Sequence, residues 1–492
     1  MVPAFVVAAQ VLVQDPPQVR MTHLEVFLVR QPHHERHRNL PARSSLADIR
    51  QLPDKRNFWR EGADRCRGQA PATKEATAMN RRRAARGTFS VVLLCLLAML
   101  AGCASTQRSS SGSPVPDGRL TVALEFGPKA GFAIDTDDAF VLTELGVVET
   151  LVRADPNGQG LPGLANSWQR IDPRTWRFQL RPGVSFHDGT LLTPEAVVTA
   201  LHYVSSVAAP PRAIKGVGLQ AASDGTDGVR ISTTNPDPIL PLRLSSPNTA
   251  ILAPSAYRST GPPGPIRTGT GPFVLTDVQA AQSATLVRWE CYWGPRAALA
   301  SAQARFIPDP MARATALRAG DVDLAQGIPD TALPELTSVP QIKVVTYPLP
   351  RTVSLYTNLT SPVLADRRIR EAIEKAIDRP ALATQVLNGS ATAASDVFGG
   401  GVPWGDYTCA GYYNLNRYCS PAFDTIVGSL SQTADPVQRQ ETFRSAAKQL
   451  NQDIVGVPLV HSQARVGMRD VTGFVPDPQE HYLLTPQLAR TG

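Results

Sequence analysis

The sequence predicts an α/β protein, and three of its stretches carry that prediction. In 175–180 apolar residues alternate with polar ones, which is the period of a strand with one buried face. A helix is expected after Thr193, because a threonine followed by Pro194 is a typical helix start. Another helix is expected over 311–319, ended by Gly320 and followed by a strand. Strands that alternate with helices indicate the α/β class.

Residues 1–102 differ in composition from the rest of the chain. Residues 1–78 are crowded with Arg and His and keep no apolar period, so we interpret them as a non-native upstream extension, with Met79 as the true start. Residues 79–102 have a basic beginning (RRRAAR) and an apolar run of signal-peptide length, too short to span a bilayer comfortably. They end in Leu-Ala-Gly-Cys, which resembles the lipobox of bacterial lipoproteins. That resemblance implies lipidation of Cys103; the alternative is an ordinary secretory signal with an incidental cysteine.

The positive charge of the chain is concentrated in this N-terminal region. The whole sequence contains 49 Lys+Arg and 42 Asp+Glu; residues 1–102 hold 16 and 8 of these, which leaves 33 basic and 34 acidic residues. The remainder is therefore close to neutral, and its charge gives no support to nucleic-acid binding.

After Cys103 the sequence predicts a tether and then a large folded body. Residues 103–117 are rich in Ser, Gly and Pro and cannot bury a core. About 375 residues follow, which is enough for two or three domains. Within this body, Pro182-Gly183 and Asp188-Gly189 are expected to turn the chain between the first strand and the helix after Thr193.

The stretch 164–201, here called the signature segment, carries a family resemblance. Its pattern LANSW, a spacer, then WRFQLRPGVSFHDGTLLTPEAVV resembles the family 5 extracellular solute-binding proteins, the peptide- and nickel-type receptors of ABC importers. TGTGPF at 268–273, ALRAGDVDLA at 316–325 and the run ending in AIDR at 379 are similar to further family patterns. The resemblance covers almost all of residues 119–480.

Several residue pairs in these motifs have a chemical alternative. His187 and Asp188 could form a catalytic pair, but neighbouring residues of an extended chain point to opposite faces, so we favour a structural role. Asp321 and Asp323 could be a carboxylate pair, and we expect them to be solvated positions at the start of a strand. No G-x-S-x-G or H-E-x-x-H motif supports a hydrolase.

The helix that precedes AIDR has a clear apolar period. The residues expected on its core face are Ile369, Ala372, Ile373, Ala376 and Ile377. Its basic residues Arg367, Arg368, Arg370 and Lys375 are expected mostly off that face, on a solvated surface.

One region departs from the family pattern. Family members normally carry a longer stretch of third-domain structure before residue 421, where this chain has only 389–420, so the resemblance implies a shortened C-terminal lobe. This short stretch is unusually aromatic, and its P-W-G-D-Y run resembles the place where peptide-binding members hold the α-amino group of the ligand. We predict ligand binding by Trp404, Asp406 and Tyr407; the alternative is a surface aspartate beside aromatics that cap a small domain.

The remaining cysteines and histidines indicate a disulfide and no metal site. An exported protein meets an oxidising environment, so Cys409 and Cys419 are expected to pair. After Cys103 the sequence has histidines only at 187, 202, 461 and 481, without a close pair. No metal and no cofactor are expected.

The resemblance implies a two-lobed periplasmic-binding-protein-like fold of type II, similar to cluster C. The expected N-terminal lobe is 118–347, the C-terminal lobe is 348–460, and 461–492 returns to the first lobe. The implied function is a non-enzymatic, monomeric receptor, lipid-anchored on the extracytoplasmic face of the cell membrane. It would bind peptides or a similar small cationic or zwitterionic solute and present it to the membrane subunits of an ABC importer. The alternatives are a binding or scaffold lipoprotein without transport, and an exported hydrolase.

Overall fold

A computed structural model describes most of the chain after residue 112. The described residues are 113–155, 159–258, 261–279, 282–397, 407–409, 411, 414–430, 432–433 and 435–492. The predicted upstream extension, the signal peptide, Cys103, Trp404 and Asp406 lie outside the described residues.

The described chain contains both strands and helices. The elements of the first half are β1 (Gly118–Leu124), α1 (Asp138–Glu144), β2 (Val152–Ala154), β3 (Gly160–Pro162), β4 (Ala165–Asp172), β5 (Thr175–Leu180), α2 (Pro194–Ser206), β6 (Gln220–Asp224), β7 (Gly228–Ser232), α3 (Leu240–Arg243), β8 (Phe273–Gln279) and β9 (Ser283–Arg288). The elements of the second half are β10 (Leu299–Phe306), α4 (Pro310–Ala319), β11 (Leu324–Gln326), α5 (Leu333–Thr337), β12 (Ile342–Tyr356), α6 (Arg367–Ala376), α7 (Arg379–Ala381), β13 (Ala391–Ala393), α8 (Pro421–Leu430), α9 (Pro436–Asp453), β14 (Gly456–Arg469), β15 (Val471–Thr472) and β16 (Ala489–Arg490).

The largest sheet runs in the order β12-β14-β11-β1-β10-β9-β8, and β13 also pairs with β14. Strand β1 is parallel to both of its neighbours, β10 and β11, whereas the remaining pairs are antiparallel. Its fully buried residues Val122 and Leu124 pack with α1 and with the C-terminal segment 483–488 in one core. Three parallel strands therefore end at the same edge of this sheet.

A second sheet contains the signature segment. Its strands run β4-β5-β7-β6, all antiparallel, and α2 packs on it through Val197 and Leu201. The Oγ1 atom of Thr193 accepts a hydrogen bond from the backbone N–H of Ala196. The predicted strand and the predicted helix start are both confirmed.

Helix α4 begins within one residue of its predicted start and ends as predicted, but the residues after it differ. Asp309 caps its N-terminus, and Gly320 ends it in the left-handed conformation with φ +83°. Asp323 was expected in solvent but is buried; its carboxylate accepts a hydrogen bond from the backbone N–H of Thr121 at 2.7 Å and forms an ion pair with Arg490. The solvated interpretation of Asp323 is therefore wrong: it ties β1 to the segment that leads into β11.

Two long antiparallel strands connect the large sheet to a smaller group of elements. Strands β12 and β14 pair over nearly their whole lengths, and their register shifts between Pro348 and Thr352. Beyond that shift lie α6, β13, α8 and α9, with a core around Phe423 and Leu450. The proposed lobe boundaries at 347/348 and 460/461 fall inside these two strands and stay predictions.

The orientation of α6 differs from the amphipathic prediction. Ile369 is 40% exposed, and Ala372 and Ala376 do not join the core; only Ile373 and Ile377 contact the core beside β14. Instead Arg370 is buried. Its guanidinium donates hydrogen bonds to the backbone carbonyls of four residues, namely Leu364, Ala365, Asp453 and Ile454. These four carbonyls require donors, and satisfying them turns the arginine inward and part of the apolar face outward.

In the part of the chain that the structure describes, no helix combines the length and the apolar character needed to cross a bilayer.

Candidate functional site

The carboxyl ends of β1, β10 and β11 form the floor of the candidate site. Ligands of open α/β sheets bind in the crevice beyond the carboxyl ends of the strands. Arg313 of α4 is 1% exposed and lies under this edge, where its guanidinium donates to backbone carbonyls at 2.7–3.1 Å. The acceptors belong to Ile307, Pro308, Gln326 and Gly327. A 3.6 Å ion pair joins the same guanidinium to Glu125, so one arginine fixes the ends of all three strands.

Helix α1 forms one wall of this crevice. The carboxylate of Asp138 accepts the backbone N–H groups of Lys129, Ala130 and Phe132 at 2.7–2.9 Å, which fixes the loop before the helix. Phe140 and Glu144 are four residues apart and so lie on the same face of the helix. Both are half-buried.

The Glu144 carboxyl faces groups from four other segments. These groups are Glu125 after β1, Gln326 at the end of β11, Arg351 of β12, and Glu480 near the C-terminus. Burial raises the pKa of Glu144 to about 8, and the Glu480 carboxylate contributes to that rise, whereas a hydrogen bond from Gln326 and the charge of Arg351 oppose it. Glu144 is therefore mostly protonated at neutral pH.

The turn 477–482 forms the opposite wall. The carboxylate of Asp477 accepts the backbone N–H groups of Gln479, His481 and Tyr482 at 2.8–3.1 Å. This turn directs Glu480 to an ion pair with Arg351. It also places the His481 ring 5.7 Å from the ring of Phe140.

Tyr347 of β12 completes the group. Its ring lies 6.2 Å from that of Phe474. Burial, together with the charges of Glu480, Asp477 and Glu144, raises the pKa of its hydroxyl, which therefore stays neutral. The crevice thus combines aromatic surface with an excess of carboxyl groups over arginines, an arrangement suited to a cationic group beside an apolar one.

A second carboxyl group with several side-chain partners is that of Glu149, five residues after Glu144. Glu149 accepts hydrogen bonds from the Tyr292 hydroxyl at 2.9 Å and from Trp293 Nε1 at 2.8 Å. The guanidinium of Arg181 lies 4.1 Å from the centre of the Trp293 ring. These contacts tie the signature segment to the Tyr-Trp pair after β9 and leave Glu149 with a structural role.

His187 also has a structural position. Its side chain is fully buried, and its Nε2 atom lies 2.9 Å from the Gly271 carbonyl, so that nitrogen carries the proton. Asp188 instead accepts hydrogen bonds from Thr190 and Ser255. The two side chains have separate partners, in agreement with the structural interpretation.

The buried imidazole predicts a loss of stability in acid. Burial lowers the pKa of His187 to about 4 from 6.5, so below about pH 6.5 the unfolded chain takes up a proton that the folded chain excludes. The free energy of unfolding should fall by about 3 kcal/mol between pH 6.5 and 4. His187→Gln, which keeps a donor for Gly271, should remove this part of the pH dependence in urea unfolding.

The control for this experiment is the exposed His202 on α2. His202→Gln should reproduce the pH profile of the parent protein. A His187→Gln profile as steep as that of the parent would assign the acid loss to other groups.

The predicted ligand residues are only partly covered by the structure. Tyr407 is half-buried and packs against the core around Phe423 in the smaller group of elements. Cys409 and Cys419 are joined by a disulfide with 4.3 Å between their Cα atoms. The backbone N–H of Cys409 donates to the carboxylate of Asp424, so the disulfide lies beside α8.

The sequence interpretation missed the crevice residues. Glu144, Arg351, Glu480 and Arg313 come from distant segments, and no motif joins them. Ligands of α/β proteins lie beyond the carboxyl ends of parallel strands. Applying this rule to the predicted strands β1 and β11 could have indicated these residues. Among the described residues no group of three or more His, Cys, Asp or Glu side chains could hold a metal ion.

Comparison with known proteins gives one family match. The model of the bacterial extracellular solute-binding proteins, family 5 Middle, matches residues 160–428. The nickel-binding periplasmic protein of Escherichia coli K12 is 29% identical over 276 residues, which are 52% of this chain and 51% of that protein. The glutathione-binding protein GsiB of the same strain is 30% identical over 233 residues, 46% of this chain and 45% of that protein. The chain thus spans about half the length of these curated relatives.

Solved structures agree on the fold. NikA from Staphylococcus aureus, in complex with Ni(L-His)2, has a TM-score of 0.65 at 16% identity and covers 76% of this chain and 100% of its own. DppA from Helicobacter pylori, in complex with the peptide STSA, has a TM-score of 0.62 at 17% identity over 76% and 98% of the two chains. The predicted two-lobed α/β fold is confirmed.

Proposed function

Because this chain belongs to the family 5 bacterial extracellular solute-binding proteins, we propose that it is the substrate-binding receptor of an ABC importer. The observation that carries the proposal is the family match over 160–428, which includes the whole signature segment and two of the strands that form the crevice floor, β10 and β11. The solute would bind between the lobes, and contacts made only in the closed form would stabilise that form. The closed receptor would then be recognised by the membrane subunits of the importer.

The proposed solute is a peptide or a similar small cationic or zwitterionic molecule. Support comes from the carboxyl groups and aromatic rings of the crevice, and from the named ligands of relatives, which include dipeptides, glutathione and nickel. Asp406 and Trp404 from the other lobe would complete the site, with Tyr407 beside them. No catalytic group is required for this role.

The direct test is to identify what the protein carries. Protein purified without added solute, then denatured, should release one small molecule detectable by mass spectrometry. Adding that molecule back to refolded protein should raise the melting temperature, as expected for a ligand that binds only the folded state. A protein that releases no solute, and whose deletion leaves uptake of candidate peptides unchanged, would contradict the receptor function.

One observation favours a second candidate, a binding lipoprotein without transport. Only residues 382–420 separate α7 from α8, and the disulfide of Cys409 and Cys419 closes the end of this short connection. A lobe this small would offer less surface to an importer. Solute binding without any uptake defect in the deletion strain would favour this second function.

The receptor is further proposed to be lipid-anchored at Cys103 and processed from Met79. Cys103→Ala should abolish labelling by a radioactive fatty acid and leave an uncleaved or released protein, because the thiol is the only attachment atom in the lipobox-like sequence. The control is Cys409→Ala, which should keep the label. Unchanged labelling of the Cys103→Ala protein would contradict the anchor.

A further inference from the structure

Glu144 is a crevice carboxyl that forms no ion pair with a cation among the described residues. Two arginines reach this region. Arg351 forms an ion pair with Glu480, and Arg313 lies 3.6 Å from Glu125 and otherwise donates to backbone carbonyls. Among the described residues Glu144 has no ion pair; its nearest support is a hydrogen bond from Gln326.

The surroundings of Glu144 supply a surface for an organic cation. Phe140 precedes it by one turn on α1, and the ring of His481 packs against Phe140 at 5.7 Å. Tyr347 of β12 faces the same carboxyl groups, and Asp477 holds the turn that carries Glu480. Aromatic faces attract ammonium and guanidinium groups most strongly where water is excluded.

We infer that Glu144 selects the charge of the solute: the crevice takes a molecule with an ammonium or guanidinium group, which pairs with the Glu144 carboxylate while the carboxyl proton leaves to solvent. This inference rests on the proposed receptor function. It assigns the choice of solute to a residue of the large lobe, independently of Asp406.

Proton release follows from the ionisation of Glu144. With its pKa raised to about 8 by burial and by Glu480, Glu144 is about nine-tenths protonated near pH 7 in the empty crevice. A cation that pairs with the carboxylate must displace this proton. For a probe that keeps its own charge over this range, such as agmatine, the affinity should therefore rise about tenfold per pH unit below about pH 8 and level off above that pH.

The experiment uses three defined probes that each carry an ammonium or guanidinium group, and one matched control. The probes are tri-alanine, lysine and agmatine, and the control is N-acetyl-tri-alanine, which lacks the ammonium group. For the parent protein at least one probe should raise the melting temperature, and calorimetry in two buffers of different ionisation enthalpy should show release of about 0.9 proton near pH 7. The Glu144→Gln protein should bind that probe at least tenfold more weakly, without proton release.

A second variant controls for loss of surface charge. Glu335 is an exposed carboxylate on α5, and Glu335→Gln should leave both the affinity and the proton release as in the parent. Circular dichroism and the melting temperature without probe establish that each variant is folded.

Three results would overturn the inference. If N-acetyl-tri-alanine binds as tightly as tri-alanine, the crevice does not select a cation, although the receptor function stands. If Glu144→Gln releases as many protons as the parent, another group is titrating. If no cationic probe binds at millimolar concentration, selection of a simple ammonium or guanidinium group is wrong, and the co-purified solute still decides the receptor function separately.

Discussion

Replacing Arg313 by methionine is expected to lower the free energy of unfolding by about 3–5 kcal/mol, the cost of removing one partner from a buried charged cluster. The guanidinium is 1% exposed and satisfies four carbonyls at the ends of β10 and β11. Methionine fills similar space but donates no hydrogen bond, so these carbonyls would lose their donors. The midpoint of urea unfolding measures the loss.

Arg318 provides a matched control on the same helix. It is half-exposed, and its pairing with Glu335 lies at the surface. Exposed ion pairs contribute about 0–1 kcal/mol, so Arg318→Met should change stability by less than that. Similar unfolding midpoints for the two variants would show that Arg313 does not hold the strand ends together.

Replacing Asp406 by asparagine is expected to weaken solute binding about a hundredfold or more. If Asp406 accepts a hydrogen bond from a cationic group of the solute in a dry crevice, removing its charge leaves that cation unpaired, at a cost of about 3–5 kcal/mol. Asparagine keeps the shape and tests the charge alone, whereas Trp404→Ala tests the packing. Calorimetry with the co-purified solute measures both.

Asp321 supplies the control for this charge change, because it is an exposed aspartate beyond the end of α4. Asp321→Asn should bind the solute as the parent does. An Asp406→Asn protein with parental affinity would identify Asp406 as a surface residue and would remove the main residue-level support for a peptide-like solute.

The sequence predicted correctly those features that depend on interactions between residues close together in the chain. The Thr193 cap, the Gly320 terminus and the alternation over 175–180 depend on residues within a few positions of each other, and all appear in the structure. The predictions for Asp323 and Arg370 were wrong because Asp323 pairs with Thr121, 202 residues away, and two of the four Arg370 acceptors lie 83 and 84 residues away. Periodicity cannot reveal which distant carbonyl or N–H group needs a charged partner.

The candidate site was harder to predict for the same reason. Glu144 and Glu480 come together only after the last strand of the large sheet is in place, and neither lies in a motif. The resemblance directed attention to Trp404 and Asp406, whereas the parallel strand ends direct attention to Glu125 and Gln326. The two sets of residues belong to opposite lobes of the predicted division.

The position of β14 between β11 and β12 determines when the large sheet can be completed. Residues 456–469 lie between β11 and β12, so a chain that ends before residue 456 leaves an unpaired edge on each of these two strands. In addition, Thr491 forms a β-bridge with Pro114 near the start of the described chain. Such long-range pairings form slowly, because the loop between them must close first. A chain emerging from the ribosome therefore cannot complete the large sheet before β14 has been made. An unfolded polypeptide is the form that can be threaded through a narrow translocation channel, and a large sheet that is completed late agrees with the proposed export of this protein.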